Sequence, residues 1–549
     1  MDIKEVLYFA RVKSIGFENF RNIEKGSITF PNSKASEFIM GEPSLLGLYG
    51  QNGSGKSSVI MALGILKSVL SGKPLAENYM SCIRYGYDIC KLTFVLSMYQ
   101  KAYDKGRNEM STLIDGICCD IFYEFEITSV NEELDPSIDD SNTSSSKVLR
   151  IENEIIRLRC TNGEGAVCVP KQIMIDARCK ESDLKGRAFG NETKYDLLTG
   201  GDLELQQQLR ELKAVAYAKS QSFIFSAKTL SALINFAERS FAEIENVETV
   251  ADKMMSLVTV ECVDDLTEED FDEFGDLENL KRFQAASMRL TYLNLLRSMR
   301  TFGLAYLHVV DTMTTGLTNI NRQLPLLLWS NIPQEGVLNL YVALEMDGPT
   351  QVSERVFPRL KTALTSVNEV LGEIVPGLAL GFRDLGVQIS CDGREEHRFE
   401  IMSIRGDVTI PLKYESDGIR RIVSILSLLI AAYNESSFTI AIDEIDSGIF
   451  EYLLGELLQV LSESLRGQMI FTSHNLRPLE VLPAKYLCFT TTNPGNRFTK
   501  IANRGNSNLR DTYFRNIILG TDKDAIYNPT DKYRIEMALY KAGHNEEDV

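Results

Sequence analysis

The sequence has four histidines, one tryptophan and ten cysteines among 549 residues, and no two cysteines form a C-x-x-C pair. That scarcity leaves few ligands for a structural zinc site and is too thin for a disulfide scaffold, so reduced, mostly buried thiols are expected. Long apolar runs are missing as well. The longest uncharged one, Ile422 to Tyr433, falls well short of the ~20 residues that cross a bilayer, and no membrane span is expected. The opening MDIKEVLYFARVKS carries charges where a signal peptide needs its apolar stretch, which predicts a cytoplasmic location. Positive charge is in deficit: 58 Lys and Arg face 76 Asp and Glu, a net charge of −18. Such a chain repels nucleic-acid phosphates on average, so contact with DNA needs a local basic patch or a partner.

The residues that are present, 44% apolar and 24% charged, have the balance of a folded protein, and the length suggests two lobes. The pattern predicts strands at Arg11–Phe17, Gly26–Phe30 and Leu45–Tyr49, then a helix at Lys56–Leu70. Residues 91–128 alternate like an antiparallel sheet, Asn131–Ser146 reads as a solvated hairpin loop, and Ile151–Ile175 resumes strand character. From Leu203 to Ile320 the periodicity is helical, including Leu280–Val310. Within it Asp264, Asp265, Glu268, Glu269, Asp270, Asp272, Glu273, Asp276 and Glu278 form an acidic run, either a solvated loop or a surface for a basic partner. A helix at Ser353–Val375, strands at Leu378–Ile389 and Arg398–Ile404, helix Ile419–Tyr433, strand Phe438–Ile442, helix Phe450–Leu465 and strand Gln468–Thr472 are expected to follow. The expected division is an N-terminal lobe over residues 1–200, a helical insertion over 201–375 and a C-terminal lobe over 376–549.

Gly50-Gln51-Asn52-Gly53-Ser54-Gly55-Lys56-Ser57 fits G-x-x-x-x-G-K-[ST] between a strand and a helix. Its glycines let backbone N–H groups, with Ser58 opening the helix, curl around phosphate oxygens at the positive helix end. Lys56 is expected to reach β- and γ-phosphates and Ser57 to ligate Mg²⁺. Far downstream, a β-branched run ends in Asp443-Glu444; side chains diverging at a strand end would turn Asp443 to the metal and Glu444 to the attacking water. His474 follows the next strand and is expected to sense the γ-phosphate. Ser416-Asp417-Gly418 opens a helix as another anion site, and Asp446-Ser447-Gly448 lies where a dimer-contact loop would.

The order of these five elements resembles the ABC-type ATPases of the SMC, RecF and OLD group. The resemblance implies an α/β P-loop NTPase of ABC/SMC-head type, with a helical region inserted between phosphate loop and signature motif, using ATP and Mg²⁺. It covers roughly residues 11–95 and 375–520. By it, Arg21 in FENFRNIEKGSITF would approach nucleotide phosphate, Ser416 and Gly418 would complete the site of the opposite protomer, and Asp446 would belong to the D-loop. The ESDG signature and the absence of a long coiled coil depart from the commoner pattern and match the compact OLD-like branch. The Q-loop glutamine is not placed; Gln100 and Gln221 are candidates.

OLD nucleases carry a carboxylate-rich metal domain after the ATPase. The residues after His474 offer no D-x-D pair beyond Asp522 and Asp524, so no intrinsic nuclease is expected. The chain is similar to the ATPase subunit (PtuA) of Septu-type anti-phage systems, including retron-linked ones, and comparable in layout to the ATPase of PARIS systems. That resemblance implies a slow ATPase acting as sensor and scaffold: an ATP-dependent homodimer or higher oligomer controlling an HNH-type nuclease, reverse transcriptase and its RNA/DNA product being further partners, with nucleic acid met through partners. The alternative is a RecF-like repair ATPase that binds DNA directly, for which Arg178, Lys180, Lys185 and Arg187 would be a basic cluster.

Overall fold

The structure is a computed structural model describing residues 7–33, 42–104, 109–112, 118–132, 146–161, 167–178, 184, 186–190, 195–243, 277–311, 323–328, 340–389, 393–500, 510–513, 525–527 and 531–543. The acidic run other than Glu278, most of the expected hairpin loop, Lys180, Lys185, Asp522 and Asp524 lie outside the described residues.

The chain opens with β1 (Leu7–Phe20) and β2 (Ile23–Thr29), then β3 (Ser44–Tyr49), helix α1 (Lys56–Leu70), and strands β4 (Ile89–Asp104), β5 (Glu109–Thr112), β6 (Cys118–Glu132), β7 (Ser146–Thr161) and β8 (Val167–Ala177). Seven of these strands make one antiparallel sheet in the order β2-β1-β4-β6-β7-β8, with β5 on β4. Helices α2 (Leu203–Ala218), α3 (Ala227–Ala242) and α4 (Leu277–Thr301) follow, then β9 (Leu307–Val310), hairpin β10 (Gln323–Leu328) and β11 (Leu340–Glu345), β12 (Thr350–Ser353), α5 (Phe357–Ile374), and strands β13 (Ala379–Ile389), β14 (Glu395–Arg405) and β15 (Val408–Pro411). The last part holds α6 (Asp417–Asn434), β16 (Thr439–Ile442), α7 (Glu451–Ser464), β17 (Gln468–Thr472), β18 (Leu487–Thr490), β19 (Phe498–Thr499) and the exposed helix α8 (Lys532–Gly543).

The functional geometry rests on the six-stranded sheet β19-β18-β3-β17-β16-β9, parallel except at β19. Its strands are drawn from all parts of the sequence. Successive side chains of a strand point to opposite faces, and both faces here are covered. Leu46, Leu48, Ala441 and Ile470 join the core built by α1, whereas Leu45, Tyr49, Ile440, Ile442, Met469 and Phe471 join the core containing α6 and α7. A strand buried on both sides reads as an unbroken apolar run, which explains SLLGLY and TIAI.

Strand β9 corrects the helical reading of Leu280–Val310. Helix α4 ends at Thr301, and a π turn, Phe302–Tyr306, leads into a strand paired with β16 in the register Thr439↔Leu307 to Ile442↔Val310. Short apolar segments suit helix and strand alike; pairing with β16 decides this one. Strands β10 to β12 likewise fall within the stretch 201–375.

The two large sheets are stapled by buried polar groups. Gln468 on β17 accepts from Val12 N (3.0 Å) and donates to Val12 O (2.8 Å) and Ser44 Oγ (3.1 Å), at the register shift of β1. The buried Arg11 guanidinium donates to the carbonyls of Asn32 (3.1 Å), Glu42 (3.2 Å), Ser436 (3.3 Å) and Arg466. Removing one partner of a buried pair costs the full desolvation of the other. Gln468→Leu leaves both Val12 groups unpaired, and a loss of about 2–4 kcal/mol is expected in urea unfolding; a change below about 0.5 kcal/mol would discount the staple.

Candidate functional site

The buried strand β3 delivers the chain to Gly50, where φ is +147°, and Gly53 and Gly55 follow at +76° and +105°. A Cβ on Gly50 would lie 2.0 Å from Thr490 Oγ1, so this close passage needs glycine. Asn22, in the β1–β2 turn, pins the loop from outside: its amide donates to Gly53 O, and Ser58 Oγ donates to its Oδ1 (3.3 Å). Ser54 Oγ donates to Gln51 O (2.6 Å). The Lys56 ammonium folds back over the loop to Gly50 O (2.8 Å) and Gln51 O (3.1 Å). Burial lowers its pKa, while Asp443, Glu444 and Asp446 pull it the other way.

Those carboxylates stand two strands from β3, at the end of β16, with β17 between. Ser57 Oγ donates to Asp443 Oδ1 (3.2 Å), so the helix start and the strand end meet directly. Thr472 ties the pair together: its hydroxyl donates to Asp443 Oδ1 (2.6 Å) and accepts from Glu444 N (2.7 Å). The expectation that strand alternation separates Asp443 from Glu444 needs correction. Strand β16 stops at Ile442, and Glu444 has φ +48°, a left-handed conformation costing a non-glycine residue about 1–2 kcal/mol. A turn closed by Ser447 N to Glu444 O (3.0 Å), rather than the pleat, aims its side chain.

An open cleft of about 1100 Å³ is lined by Asn52, Gly53, Gly55, Lys56, Ser57, Ser58, Glu444 and His474 together with Arg21. Arg21 has φ +50°, and burial lowers its pKa against the pull of Asp311 and Asp443. His474 is exposed; its N–H and that of Asn475 donate to the Asp446 carboxylate (3.2 and 3.0 Å), joining the two expected loops. Ser416 caps α6 by accepting from Ile419 N (3.4 Å), and Gly418 abuts Gly448, whose carbonyl oxygen a Cβ there would meet at 2.3 Å. Neither Ser416 nor Gly418 lines the cleft, and neither does Gln221. The side chain of Gln100 is outside the described residues.

Several lining residues escaped sequence reasoning: Asn22, Arg84, Tyr85, Pro494 and Arg497. Arg497 donates to Asn22 O (3.0 and 2.7 Å) across nearly the whole chain, which no local pattern announces. Asp311 was missed too. It is buried just past β9, whose register sets it beside Asp443.

No known family pattern and no curated protein matches the sequence. Solved structures with partial likeness include the Smc head domain of Pyrococcus furiosus bound to the C-terminal domain of ScpA (11% identity, 90% of this chain and 96% of that chain, TM-score 0.32). The Smc head with coiled coil and joint of Pyrococcus yayanosii gives 13% identity over 90% and 97%, TM-score 0.30. The recombination mediator RecF, as RecF-ATPrS, gives 14% over 91% and 100%, TM-score 0.28.

Thr472→Val removes the hydroxyl at nearly constant volume, stranding Glu444 N. A loss of about 1–3 kcal/mol is expected in urea unfolding, with Thr472→Ser recovering most of it. Equal stability of Val and Ser variants would show the bridge to be idle.

Proposed function

We propose that the chain is an ABC-type ATPase of the SMC, RecF and OLD group. The observation that carries this reading is the meeting of Ser57 with Asp443 at 3.2 Å beside Lys56 and Glu444, since it unites a phosphate loop and a metal-holding carboxylate from opposite ends of the sequence. Mg²⁺ takes few protein ligands in nucleotide sites, one or two oxygens plus phosphates and water. Ser57 Oγ and Asp443 Oδ1 supply such a donor set, hard oxygens already within 3.2 Å of each other. An ion held by Ser57 and Asp443 would supply positive charge to offset that of the phosphates. Lys56 and the loop N–H groups hold the triphosphate, Glu444 orients the attacking water and accepts its proton, and His474 contacts the γ-phosphate from the rim.

Ser416 and Gly418 stand outside the cleft, with Ser416 exposed at the start of α6, which supports a head-to-tail dimer in which they complete the partner's site. The biological role we propose is that of a slow ATP-driven sensor and scaffold of a bacterial anti-phage system, Septu-like, restraining or releasing an HNH-type nuclease. The net charge of −18 favours this over direct, RecF-like DNA binding. Of the basic cluster considered for DNA, Arg178 is ion-paired to Asp176 at 3.0 Å.

Lys56→Ala is expected to weaken ATP binding by at least about 100-fold in calorimetry, each factor of ten being about 1.4 kcal/mol. Glu444→Gln is expected to bind ATP, accumulate as dimer in light scattering, and hydrolyse at less than about 1% of the wild-type rate. A Glu444→Gln protein turning over at the wild-type rate would remove that residue as the base. Mass measurement of the chain purified with its operon neighbours and ATP is expected to find a second, nuclease-like chain; a dimer that shifts onto added DNA alone would favour the repair reading.

A further inference from the structure

Arg421, in the first turns of α6, is 1% exposed, one of the largest fully buried side chains in the protein. Its Nη2 donates to Asp443 O (3.0 Å) and Glu444 O (3.3 Å). Among the described residues no acceptor meets its Nε or Nη1. Burial pushes its pKa down to about 10, with Asp443, Glu444 and Asp446 opposing. Burying an incompletely paired guanidinium in a helix otherwise packed by Ile422, Val423 and Ile425 is unfavourable for stability, and an apolar residue would serve packing better. The reason lies in what it holds.

The direction of the Glu444 side chain follows from its φ and ψ, the angles between the two peptide planes that meet at its Cα. The first plane is fixed at its carbonyl, Asp443 O, by Arg421, and at its N–H, Glu444 N, by Thr472 Oγ1 (2.7 Å). The second is fixed at its carbonyl, Glu444 O, by Arg421 and Ser447 N, and at its N–H, Ile445 N, by Thr472 O (3.1 Å). Arg421 and Thr472 thus grip both planes from opposite sides, and the grip persists although φ is +48°, where a non-glycine residue does not rest unaided. Gly418, one turn earlier on α6, seats the far end of the same acidic turn at Gly448. One nitrogen, Nη2, reaches both successive carbonyls, its two N–H bonds held in the rigid guanidinium plane; a lysine ammonium, a point donor on a flexible stem, does not fix those directions.

We propose that Arg421 is a positioning residue for Glu444: by clamping the carbonyls of both flanking peptide planes it maintains the left-handed backbone that aims the carboxylate into the cleft. The inference rests on Glu444 being the base proposed above, but the clamp itself is testable without nucleotide. In hydrogen exchange of the full chain without ATP, Arg421→Lys is expected to speed exchange at residues 444–447 by at least about 10-fold while β16 and the rest of α6 keep their protection. Unchanged exchange there would overturn the clamp, whatever the ATPase result. If Arg421→Lys loses its cooperative melting transition, Arg421→Gln is measured in the same way, and global loss of protection in both would overturn a positioning role in favour of a structural one.

With ATP, Arg421→Lys is expected to lower kcat by about 10- to 100-fold with nucleotide Kd changed less than about 3-fold. In the Glu444→Gln background the same change is expected to lower kcat no further, because an aimed base is already absent. A full additional loss in that background, or a loss that falls on Kd instead of kcat, would overturn the proposal. Absence of ATP binding by the wild-type chain would instead sink the ATPase reading and leave the exchange result standing.

Discussion

The site depends on one hydroxyl and one strand order. Because β17 runs between β3 and β16, Thr472 at its end stands where it can touch both carboxylate residues, donating to Asp443 and accepting from Glu444 N. The bond to a carboxylate is charge-assisted and strong, and the bond from a buried N–H is costly to lose. Together they fix the Asp443 oxygen proposed to face the metal and the backbone of Glu444, the proposed base, with a single side chain. Everything else in the cleft is arranged around that fixed edge: Ser57 reaches the same Asp443 oxygen from α1, and Lys56 covers the loop with its charge balanced by three carboxylates.

Such an edge holds only if the parallel sheet cannot slide against the antiparallel one. Gln468 and Arg11 perform that task from within, each spending buried polar groups on carbonyls and N–H groups more than 400 residues away in sequence. Apart from Ser44 Oγ, the partners named here are backbone atoms, so the staple depends mostly on where the chain passes and less on which side chains line its route. The same kind of closure recurs at the cleft's outer wall, where Arg497 holds Asn22 and Asn22 holds the glycine loop. The N-terminal hairpin, the glycine loop and the last strands are therefore tied together around the cleft.

The acidic turn Asp443–Gly448 is the junction between this unit and α6. Helix α6 contacts it at Gly448 through Gly418 and at Asp443 and Glu444 through Arg421, while its N-terminal Ser416 faces outward. A change at the exposed end of α6 is thus two helical turns or less from the backbone that aims Glu444. In the proposed dimer, the surface that meets the partner's nucleotide and the clamp on a protomer's own base belong to one helix.

Much of this was legible in the residues themselves. Gly50, Gly53 and Gly55 mark a loop of positive φ, Lys56 and Ser57 begin a helix, and TIAIDE ends a buried strand; each is a local preference that tertiary context did not override. Local signals failed where pairing decided. Leu307–Val310 follows a helix without a break and becomes a strand only because β16 offers it a ladder, and through that ladder Asp311 arrives beside Asp443. Glu444 reads as the next residue of a strand, yet Thr472 and Arg421, 28 and 23 residues away, bend its backbone left-handed. The sequence alone determined which chemical groups this protein gathers at the cleft, because residue type and short-range spacing specify loop, hydroxyl and carboxylate. Where those groups point, and what grips them, only the tertiary structure decided, because hydrogen bonds between strands and helices distant along the chain set backbone angles that no neighbouring residue encodes.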